Sequence, residues 1–236
     1  QAEQRINQEK ERLLNQNNGP HNNSRSQSVS TKNQHELEIE GVKILFPFEP
    51  YQCQLTYMQK VIEALQKGSS ALLESPTGTG KTLSLLCSVL AWRENLKNNP
   101  DKLKEFEMTG DSLHKRTGIP NIIYSTRTHS QLNQCVQELK VTAYTPRIAI
   151  LGSREQLCVH PKVSQEKGSK QNAKCRAINS AASTKKCWFK MGTKHMDSMS
   201  KSILSNHILD VEDLHLLGKD QQFCPYYHSI ENCKEA

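Results

Sequence analysis

The chain has 236 residues, of which 35% are hydrophobic, and its mean hydropathy is -0.69. Such a length can bury one sizeable core, or one core with a small satellite, and the low hydropathy predicts that part of the chain is a solvated tail or linker. No apolar run approaches membrane-spanning length, so we expect a soluble protein without a membrane partner. The formal net charge of +7 favours a polyanionic partner.

Residues 1–36 are rich in Gln, Asn and Ser and carry almost no apolar periodicity. A segment of this composition cannot bury enough apolar surface to offset the entropy that is lost on ordering. We therefore predict a disordered polar tail, followed by structure from Leu37 onward. Because the first residue is Gln1 rather than Met, we expect the natural start of the chain to lie upstream.

Apolar periodicity after the tail alternates between the strand type and the helical type. Residues 37–48 alternate apolar and other side chains, which predicts a strand or an extended hairpin. Helical periods occupy three segments: 51–66, 83–92 and 130–139. Short apolar runs are predicted as buried strands: 71–73, 122–124 and 148–151. This alternation predicts an α/β fold with a parallel sheet that helices cover on both faces.

Two segments between and after these elements are assigned by composition. Residues 98–118 are charged and contain Pro100, so we predict a surface connection. The acidic run at 210–213 resembles a Mg²⁺-binding box, but no long strand precedes it, and Leu214 and Leu217 continue it with helical spacing. We predict an amphipathic helix there instead.

Residues 74–82, between the predicted strand at 71–73 and the predicted helix at 83–92, have the pattern of a phosphate-binding loop. Gly78 and Gly80 lack a Cβ, so backbone N–H groups and the helix N-terminus can face phosphate oxygens. Lys81 would reach the β and γ phosphates of a nucleotide, and Thr82 would offer its hydroxyl to Mg²⁺. Ser75 replaces the usual first glycine, and the alternative is a glycine-rich turn that caps an ordinary helix. Because strand, loop, Lys-Thr and helix occur in order, nucleotide binding is favoured.

Two other polar positions are open to a functional or a structural interpretation. Gln54 precedes the loop at a distance where its amide could contact adenine, although spacing alone favours an exposed polar residue. Arg127 follows the second predicted strand, at an edge of the sheet where ligands bind, and it suits a phosphate backbone. A simple helix cap by Thr128 or Ser130 is an equally good interpretation of that segment.

Eight cysteines in a chain that looks intracellular predict thiols or metal ligands rather than disulfides. Three of them lie in helical contexts and are predicted to be small buried hydrophobic residues: Cys53, Cys87 and Cys135. The other five lie in the polar C-terminal part: Cys158, Cys175, Cys187, Cys224 and Cys233. Their long, unequal gaps differ from paired zinc-finger spacings, so the spacing alone is a weak signal of a metal site.

Taken together, the motifs resemble the iron–sulfur DNA helicases of superfamily 2, the family of the xeroderma pigmentosum group D helicase. The resemblance extends from about Glu40 to His228, and the following runs carry it: 42–48, 50–54, 74–82, 85–87, 91–92, 126–131 and 151–161. It implies a P-loop RecA-like parallel sheet, the N-terminal part of the first helicase motor domain, over residues 37–152. It also implies an iron–sulfur cluster region over residues 153–236, truncated at its C-terminal side.

The resemblance also implies roles for individual residues. The implied ATP contacts are Gln54, Ser75, Pro76, Thr77, Gly78, Thr79, Gly80, Lys81 and Thr82. Of these, Gln54 would read adenine, and Lys81 and Thr82 would be catalytic. The implied contacts to single-stranded DNA are Arg127, Thr128 and His129. The implied ligands of a [4Fe-4S] cluster are Cys158, Cys175, Cys187 and Cys224, whereas Cys233 has no counterpart in the family.

As a whole, the resemblance implies the N-terminal part of a nuclear, ATP-dependent DNA helicase that moves 5′ to 3′. Its partners would be ATP with Mg²⁺ and single-stranded, forked or structured DNA, in DNA repair, recombination or telomere maintenance. The chain shows neither the Asp-Glu-Ala-His box nor a second motor domain, so we expect weak nucleotide binding without hydrolysis or unwinding by this stretch alone. The alternatives are a nucleotide-binding zinc module without motor activity and a noncatalytic product of a truncated gene.

Overall fold

The computed structural model describes residues 34–108, 118–180, 182–196, 203–204 and 207–234. Almost all of the predicted tail at 1–36 lies outside these residues. Contacts divide the chain into a first unit, Ser26–Pro146, and a second unit that is built on Arg147–Ala236. None of the described helices has the length and apolar character that a membrane crossing requires.

The first unit begins with an antiparallel hairpin, which confirms the hairpin prediction. Strand β1, His35–Ile39, pairs with strand β2, Val42–Phe46. Between them, Glu40 and Gly41 have φ angles of 50° and 70°, the left-handed conformation that two-residue hairpin turns require. Alternate side chains of β2 are buried, so one face of the hairpin contributes to the core of this unit.

Helices account for the rest of the regular structure in the first unit. They are α1, Gln52–Lys67; α2, Lys81–Asn98; α3, Pro100–Met108; and α4, His129–Val141. The predicted helices at 51–66, 83–92 and 130–139 are therefore confirmed. The predicted surface connection at 98–118 is wrong in its first half, because residues 100–108 form α3. Phe106 of α3 packs edge to face on Trp92 of α2.

The predicted parallel sheet is not confirmed. The runs at 71–73, 122–124 and 148–151 have no strand pairing, and the two strands of the hairpin form the one sheet among the described residues. Leu72 is fully exposed and Ile123 is 92% exposed. These runs have the composition of buried strands but no neighbouring strand to pair with, so the described residues form a mixed fold of helices with one small sheet.

The described residues of the second unit are helical, and two apolar clusters lie among them. Its helices are α5, Arg154–Leu157; α6, Gly168–Ile178; α7, Trp188–Lys194; α8, Val211–Asp220; and α9, Pro225–Asn232. One cluster contains Ile203, Leu217 and Phe223. The other contains Val159, Cys187, Phe189 and Cys224. The second apolar group therefore surrounds Cys187 and Cys224, two of the predicted iron–sulfur ligands, with packed side chains.

The acidic run before α8 is a helix cap, which confirms the predicted amphipathic helix. Asp210 Oδ1 accepts a hydrogen bond from Asp213 N at 2.8 Å, and Asp213 Oδ2 accepts one from Asp210 N at 3.1 Å. This reciprocal pattern is a capping box. Leu214 and Leu217 then face the interior of the second unit.

All eight cysteines are free thiols, but one of the predicted buried cysteines is not buried. Cys87 and Cys135 are buried as expected, and burial raises the pKa of Cys87 to about 12. Cys53 is exposed, so its prediction as a buried hydrophobic residue is wrong. It lies on α1 among positions that face solvent, while Met58 and Ile62 form the buried stripe of that helix.

Close backbone packing in the second unit leads to a stability prediction for Gly192→Ala. A Cβ at Gly192 would overlap the backbone carbonyl oxygen of Gln222, which cannot move as a flexible side chain could. Because overpacking of this kind typically costs about 1–3 kcal/mol, we expect the free energy of unfolding to fall by that amount in urea titrations. Lys194→Ala, an exposed change on the same helix, serves as the control and should leave the midpoint nearly unchanged. Equal midpoints for the two variants would contradict the prediction.

Candidate nucleotide site and cysteine cavity

The predicted phosphate-binding loop closes on itself before α2. Gly78 and Gly80 have φ angles of 81° and 71°, and Gly80 is the N-cap of α2. The hydroxyls of Ser75 and Thr79 lie 2.6 Å apart, and Thr79 Oγ1 also donates to Pro76 O at 2.9 Å. Left-handed glycines therefore form a turn that directs the first amides of an 18-residue helix into the loop.

Lys81 contacts the loop from its first helical position. Its Nζ donates to Ser75 O at 2.7 Å and to Pro76 O at 2.6 Å. The ammonium group thus lies at the positive end of the helix dipole, beside the backbone of the loop. This combination of cation, amides and dipole attracts an anion, as a triphosphate requires.

Gln54 is buried against the same loop. Gln54 is only 6% exposed to solvent. Its Oε1 accepts from Tyr51 N at 2.9 Å, and its Nε2 donates to Thr79 O at 3.2 Å. The interpretation of Gln54 as an exposed polar residue, which spacing alone favoured, is therefore wrong. Its contact with adenine stays a prediction, but its contact with the loop is direct.

The fit between Gln54 and the loop predicts that Gly80→Ala is more damaging than Gly78→Ala. Both glycines have positive φ, so an alanine at either position costs about 1–2 kcal/mol of backbone strain. A Cβ at Gly80 would also lie 2.5 Å from Gln54 Nε2, whereas one at Gly78 meets nothing within 4 Å. Urea unfolding of both variants measures the difference, and equal losses of stability would show that the Gln54 contact imposes no steric limit on the loop.

Tyr124 is a neighbour of the loop that the sequence analysis missed. Its phenol is half-buried and interacts with the side chains of Thr82 and Cys135, and burial raises its pKa. The available sequence signal was its position directly after Ile122 and Ile123, at the end of a predicted strand. Tyr124 therefore connects the segment before α4 to the residue that is predicted to hold Mg²⁺.

The predicted DNA-binding residues lie at the start of α4 and are exposed. Thr128 is the N-cap, since its Oγ1 accepts from Gln131 N at 3.3 Å. The helix-cap interpretation is therefore confirmed for Thr128. Arg127 and His129 flank the cap with their side chains accessible to solvent. An accessible cation next to a helix N-terminus is suited to a phosphate group.

The four predicted cluster ligands line one cavity in the second unit. The lining consists of Cys158, Val159, His160, Val163, Cys175, Ile178, Asn179, Cys187, Phe189, Cys224 and Tyr227. The space between these atoms is about 310 Å³, including a part that is open to solvent. Three of the four cysteines are buried, and Cys175 is half-buried. Folding thus brings together thiols that are separated by long, unequal gaps in the sequence.

Burial in the cavity favours the protonated form of three of the four thiols. Burial raises the pKa of Cys158 and of Cys187, and it raises the pKa of Cys224 to about 12. Proximity contributes in the same direction, because the pKa of each of these thiols is also raised by charge on neighbouring cysteines of the set. Metal binding would have to deprotonate them, as it does in other thiolate sites.

Polar groups around Cys175 were missed by the sequence analysis. Asn179 Nδ2 donates to Cys175 O at 2.8 Å and lies 3.8 Å from Cys175 Sγ. The Arg154 guanidinium lies 4.2 Å from the centroid of the Tyr226 ring and donates to Asn172 Oδ1 at 3.0 Å. The spacing of Cys175 and Asn179 by one helical turn was the signal that could have revealed the first contact.

The cavity offers thiols that could hold a metal ion or an iron–sulfur cluster. Within the described ranges, no group of three or more His, Cys, Asp or Glu side chains is already arranged as a metal site. The apolar lining also suits a group that is shielded from water.

Comparison with known proteins finds relatives that are named as helicases. The DEAD_2 family profile matches residues 124–236. The chain is 44% identical over 219 residues to regulator of telomere elongation helicase 1 of Mus musculus, covering 84% of the chain and 18% of the relative. Its homolog in Aedes aegypti is 40% identical, covering 85% of the chain and 23% of the relative. The homolog in Oryza sativa subsp. japonica is 41% identical, covering 84% and 22%.

The chain is a relative of the regulator of telomere elongation helicases, at 40–44% identity over about 84% of its own length. The sequence motifs are nearest to this family but do not by themselves separate it from a near rival, the Fanconi anaemia group J helicase, whereas the comparisons favour the regulator of telomere elongation helicase. The chain spans about a fifth of the length of these relatives. The phosphate-binding loop lies outside the part matched by the DEAD_2 profile, while all four cavity cysteines lie inside it.

Proposed function

We propose that the chain is the N-terminal part of an ATP-dependent DNA helicase of the regulator of telomere elongation family. In this proposal, its first unit binds ATP with Mg²⁺ and contacts single-stranded DNA, and its second unit holds a [4Fe-4S] cluster. The complete enzyme would act in the nucleus on forked or structured DNA, in repair, recombination or telomere maintenance, and would move 5′ to 3′. The likeness to these helicases supports the activity, and the geometry of the loop supports the nucleotide.

The observation that carries the proposal is the joint position of Gln54 and Lys81 on one loop. Gln54 is buried with its amide on Thr79 O, while the Lys81 ammonium contacts the carbonyls of Ser75 and Pro76. A glycine-rich turn that merely capped a helix would need neither a buried glutamine nor a lysine that bridges its carbonyls. A nucleotide site needs both, since base and phosphates must be bound at the same time.

In ATP binding, the Lys81 ammonium would exchange its two carbonyl partners for oxygens of the β and γ phosphates. The amides at the start of α2 would donate to phosphate oxygens, and the Thr82 hydroxyl would coordinate Mg²⁺. Gln54 would keep the loop in place through Thr79 and offer its amide to adenine. Hydrolysis also needs a carboxylate to position water and an arginine that reaches the nucleotide, so we expect this stretch alone to bind ATP without hydrolysing it.

Contact with DNA is assigned to the start of α4. Arg127 and His129 are exposed on either side of the Thr128 cap, which fixes the orientation of both. Arg127 would pair with a phosphate, and the free amides of the first helical turn would bind the same backbone. Such contacts do not depend on base sequence, so binding should weaken as the salt concentration rises.

In the second unit, Cys158, Cys175, Cys187 and Cys224 would hold the cluster. When bound, a [4Fe-4S] cluster ties four segments together and can accept or donate one electron. The chain itself provides four thiols, an apolar lining and a hydrogen bond donor at Cys175. Cys233 is exposed and does not line the cavity, so it is assigned no role.

Metal and sulfide analysis of protein purified without oxygen tests this proposal, together with binding of a fluorescent ATP analogue. We expect about four irons and four acid-labile sulfides per chain, and Mg²⁺-dependent nucleotide binding. Zinc without sulfide would overturn the cluster and support a nucleotide-binding zinc module. Appreciable DNA-stimulated ATP hydrolysis by this stretch alone would contradict the need for the missing catalytic groups.

A further inference from the structure

A second cavity in the first unit lies away from the phosphate-binding loop. It has a volume of about 350 Å³ and is lined by Glu40, Val42, Gln66, Trp92, Asn95, Leu96, Lys102, Glu105 and Phe106. Trp92 lies about 16 Å further along α2 than Lys81, at 1.5 Å per residue. The cavity is therefore separate from the nucleotide site, and its volume is in the range of small-ligand sites.

The floor of this cavity is apolar and aromatic. Val42, Trp92 and Leu96 are each buried, with 1%, 6% and 4% exposure. Phe106 of α3 packs edge to face on Trp92, with ring centroids 5.3 Å apart and an interplanar angle of 79°. Aromatic surfaces of this kind attract cations and planar groups as well as apolar ones.

Three side chains around the cavity donate hydrogen bonds to the hairpin turn. Asn95 Nδ2 donates to Gly41 O at 3.1 Å, and Lys102 Nζ donates to the same oxygen at 3.2 Å. Gln66 Nε2 donates to Glu40 O at 2.8 Å. The one cation in the lining is thus directed at the turn, and its charge is partly offset there.

The groups that stay available are acceptors. Across the described part of the chain, no hydrogen bond or ion pair reaches the Glu105 carboxylate or Gln66 Oε1. Glu40 uses Oε1 to accept from Gln59 Nε2 at 2.9 Å, which leaves its second oxygen. Two exposed carboxylates and an exposed amide oxygen therefore border the aromatic floor. These acceptors favour a partner that is positively charged and rich in donors.

We propose that this cavity binds an arginine side chain presented by a protein partner. A guanidinium group is planar, carries five donors and no acceptor, and stacks on aromatic rings, so it satisfies the carboxylates and the floor together. A lysine ammonium has the charge but lacks the planar surface. The cavity uses no residue of the nucleotide loop or of the cysteine cavity, so this inference stands independently of the proposed function.

The chain has two tryptophans, so fluorine NMR of protein labelled with 5-fluorotryptophan reports directly on the cavity. The Trp92→Phe variant assigns the Trp92 resonance. The probes are capped arginine, capped lysine and capped citrulline, the last being a neutral analogue of arginine. We expect capped arginine to shift the Trp92 resonance with a dissociation constant on the order of 1 mM, as suits a ligand of this size. Lysine should bind more weakly and citrulline hardly at all.

A pair of variants on α3 tests the role of charge in this cavity. Glu105→Gln should weaken capped arginine binding roughly threefold to fivefold, the effect expected of an accessible ion pair. Asp101→Asn removes a carboxylate from the same helix outside the cavity and should leave the affinity unchanged. Equal shifts with arginine and citrulline, or equal affinities for Glu105→Gln and the unmodified chain, would overturn the proposal. The comparison of arginine with citrulline needs no variant and so does not depend on the stability of either one.

Discussion

Cys224→Ser is expected to reduce the iron and acid-labile sulfide of the purified chain from about four of each to near zero. Cys224 is 8% exposed, begins α9, and packs with Val159, Cys187 and Phe189. A serine oxygen at this position is a poor ligand for iron. It would also place a hydroxyl in the apolar lining, so a partly assembled cluster would gain access to water.

Anaerobic purification followed by iron, sulfide and zinc analysis measures the effect of Cys224→Ser. The matched control is Cys233→Ser, because Cys233 is an exposed thiol in the same segment that does not line the cavity. We expect the control to keep its full metal content. Full iron in both variants would remove Cys224 from the ligand set, whereas loss of iron in both would indicate that the end of α9, rather than one thiol, holds the site together.

Lys81→Ala is expected to reduce ATP hydrolysis by the complete enzyme at least about 100-fold, the loss typical of removing one charged group that stabilises a transition state. The substitution removes the cation beside the loop and its bonds to Ser75 O and Pro76 O. Nucleotide binding by the present chain should weaken in parallel, because the amides of α2 alone would face the phosphates. The cysteine cavity belongs to the other unit, so its iron content should not change.

ATPase assays and iron analysis of the same preparations test the Lys81 prediction. Lys97→Ala is the control, since Lys97 is an exposed lysine in the last turn of the same helix. The control should keep full activity. Hydrolysis that survives in Lys81→Ala would remove the lysine from the catalytic set. If the iron content fell together with the activity, the substitution would be unfolding the chain and its effect on catalysis would be indirect.

The helices were predictable because their signals are local. The apolar stripe of α1 and the glycine that follows it fixed a helix near its observed bounds, Gln52–Lys67, and the hairpin followed from alternation in residues 37–48. Helix α3 was missed because its side chains are charged and none of them is buried, so it carries little apolar periodicity. Its packing includes a ring contact between Trp92 and Phe106, which joins residues that are 14 positions apart.

The parallel sheet illustrates what composition cannot establish. The run at 71–73 is apolar enough for a buried strand, yet Leu72 is fully exposed. A strand exists only when another strand pairs with it, and pairing is a property of distant segments. Gln54 shows the same limit for a site residue, since its distance in sequence from the loop suggested exposure while folding buries it on Thr79 O.

The cysteine set was predictable by resemblance and not by spacing. Gaps of unequal length gave no ligand pattern, and the set of four cysteines came from the resemblance to the iron–sulfur helicases. The cavity shared by all four cysteines is consistent with that set. The hydrogen bond from Asn179 to Cys175 was missed, although a spacing of one helical turn could have suggested it, and it also depends on how α6 ends.

The turn between β1 and β2 is a local structure that accepts hydrogen bonds from side chains far along the chain. A two-residue hairpin can close within microseconds by itself. Here, however, its two carbonyls are bound by Gln66, Asn95 and Lys102, which follow it by 26, 54 and 61 positions along the chain. The turn therefore reaches its final hydrogen bonding only after three helices have assembled around it. We expect its amides to exchange with solvent together with those of α2, and the hairpin to gain its stability late in folding.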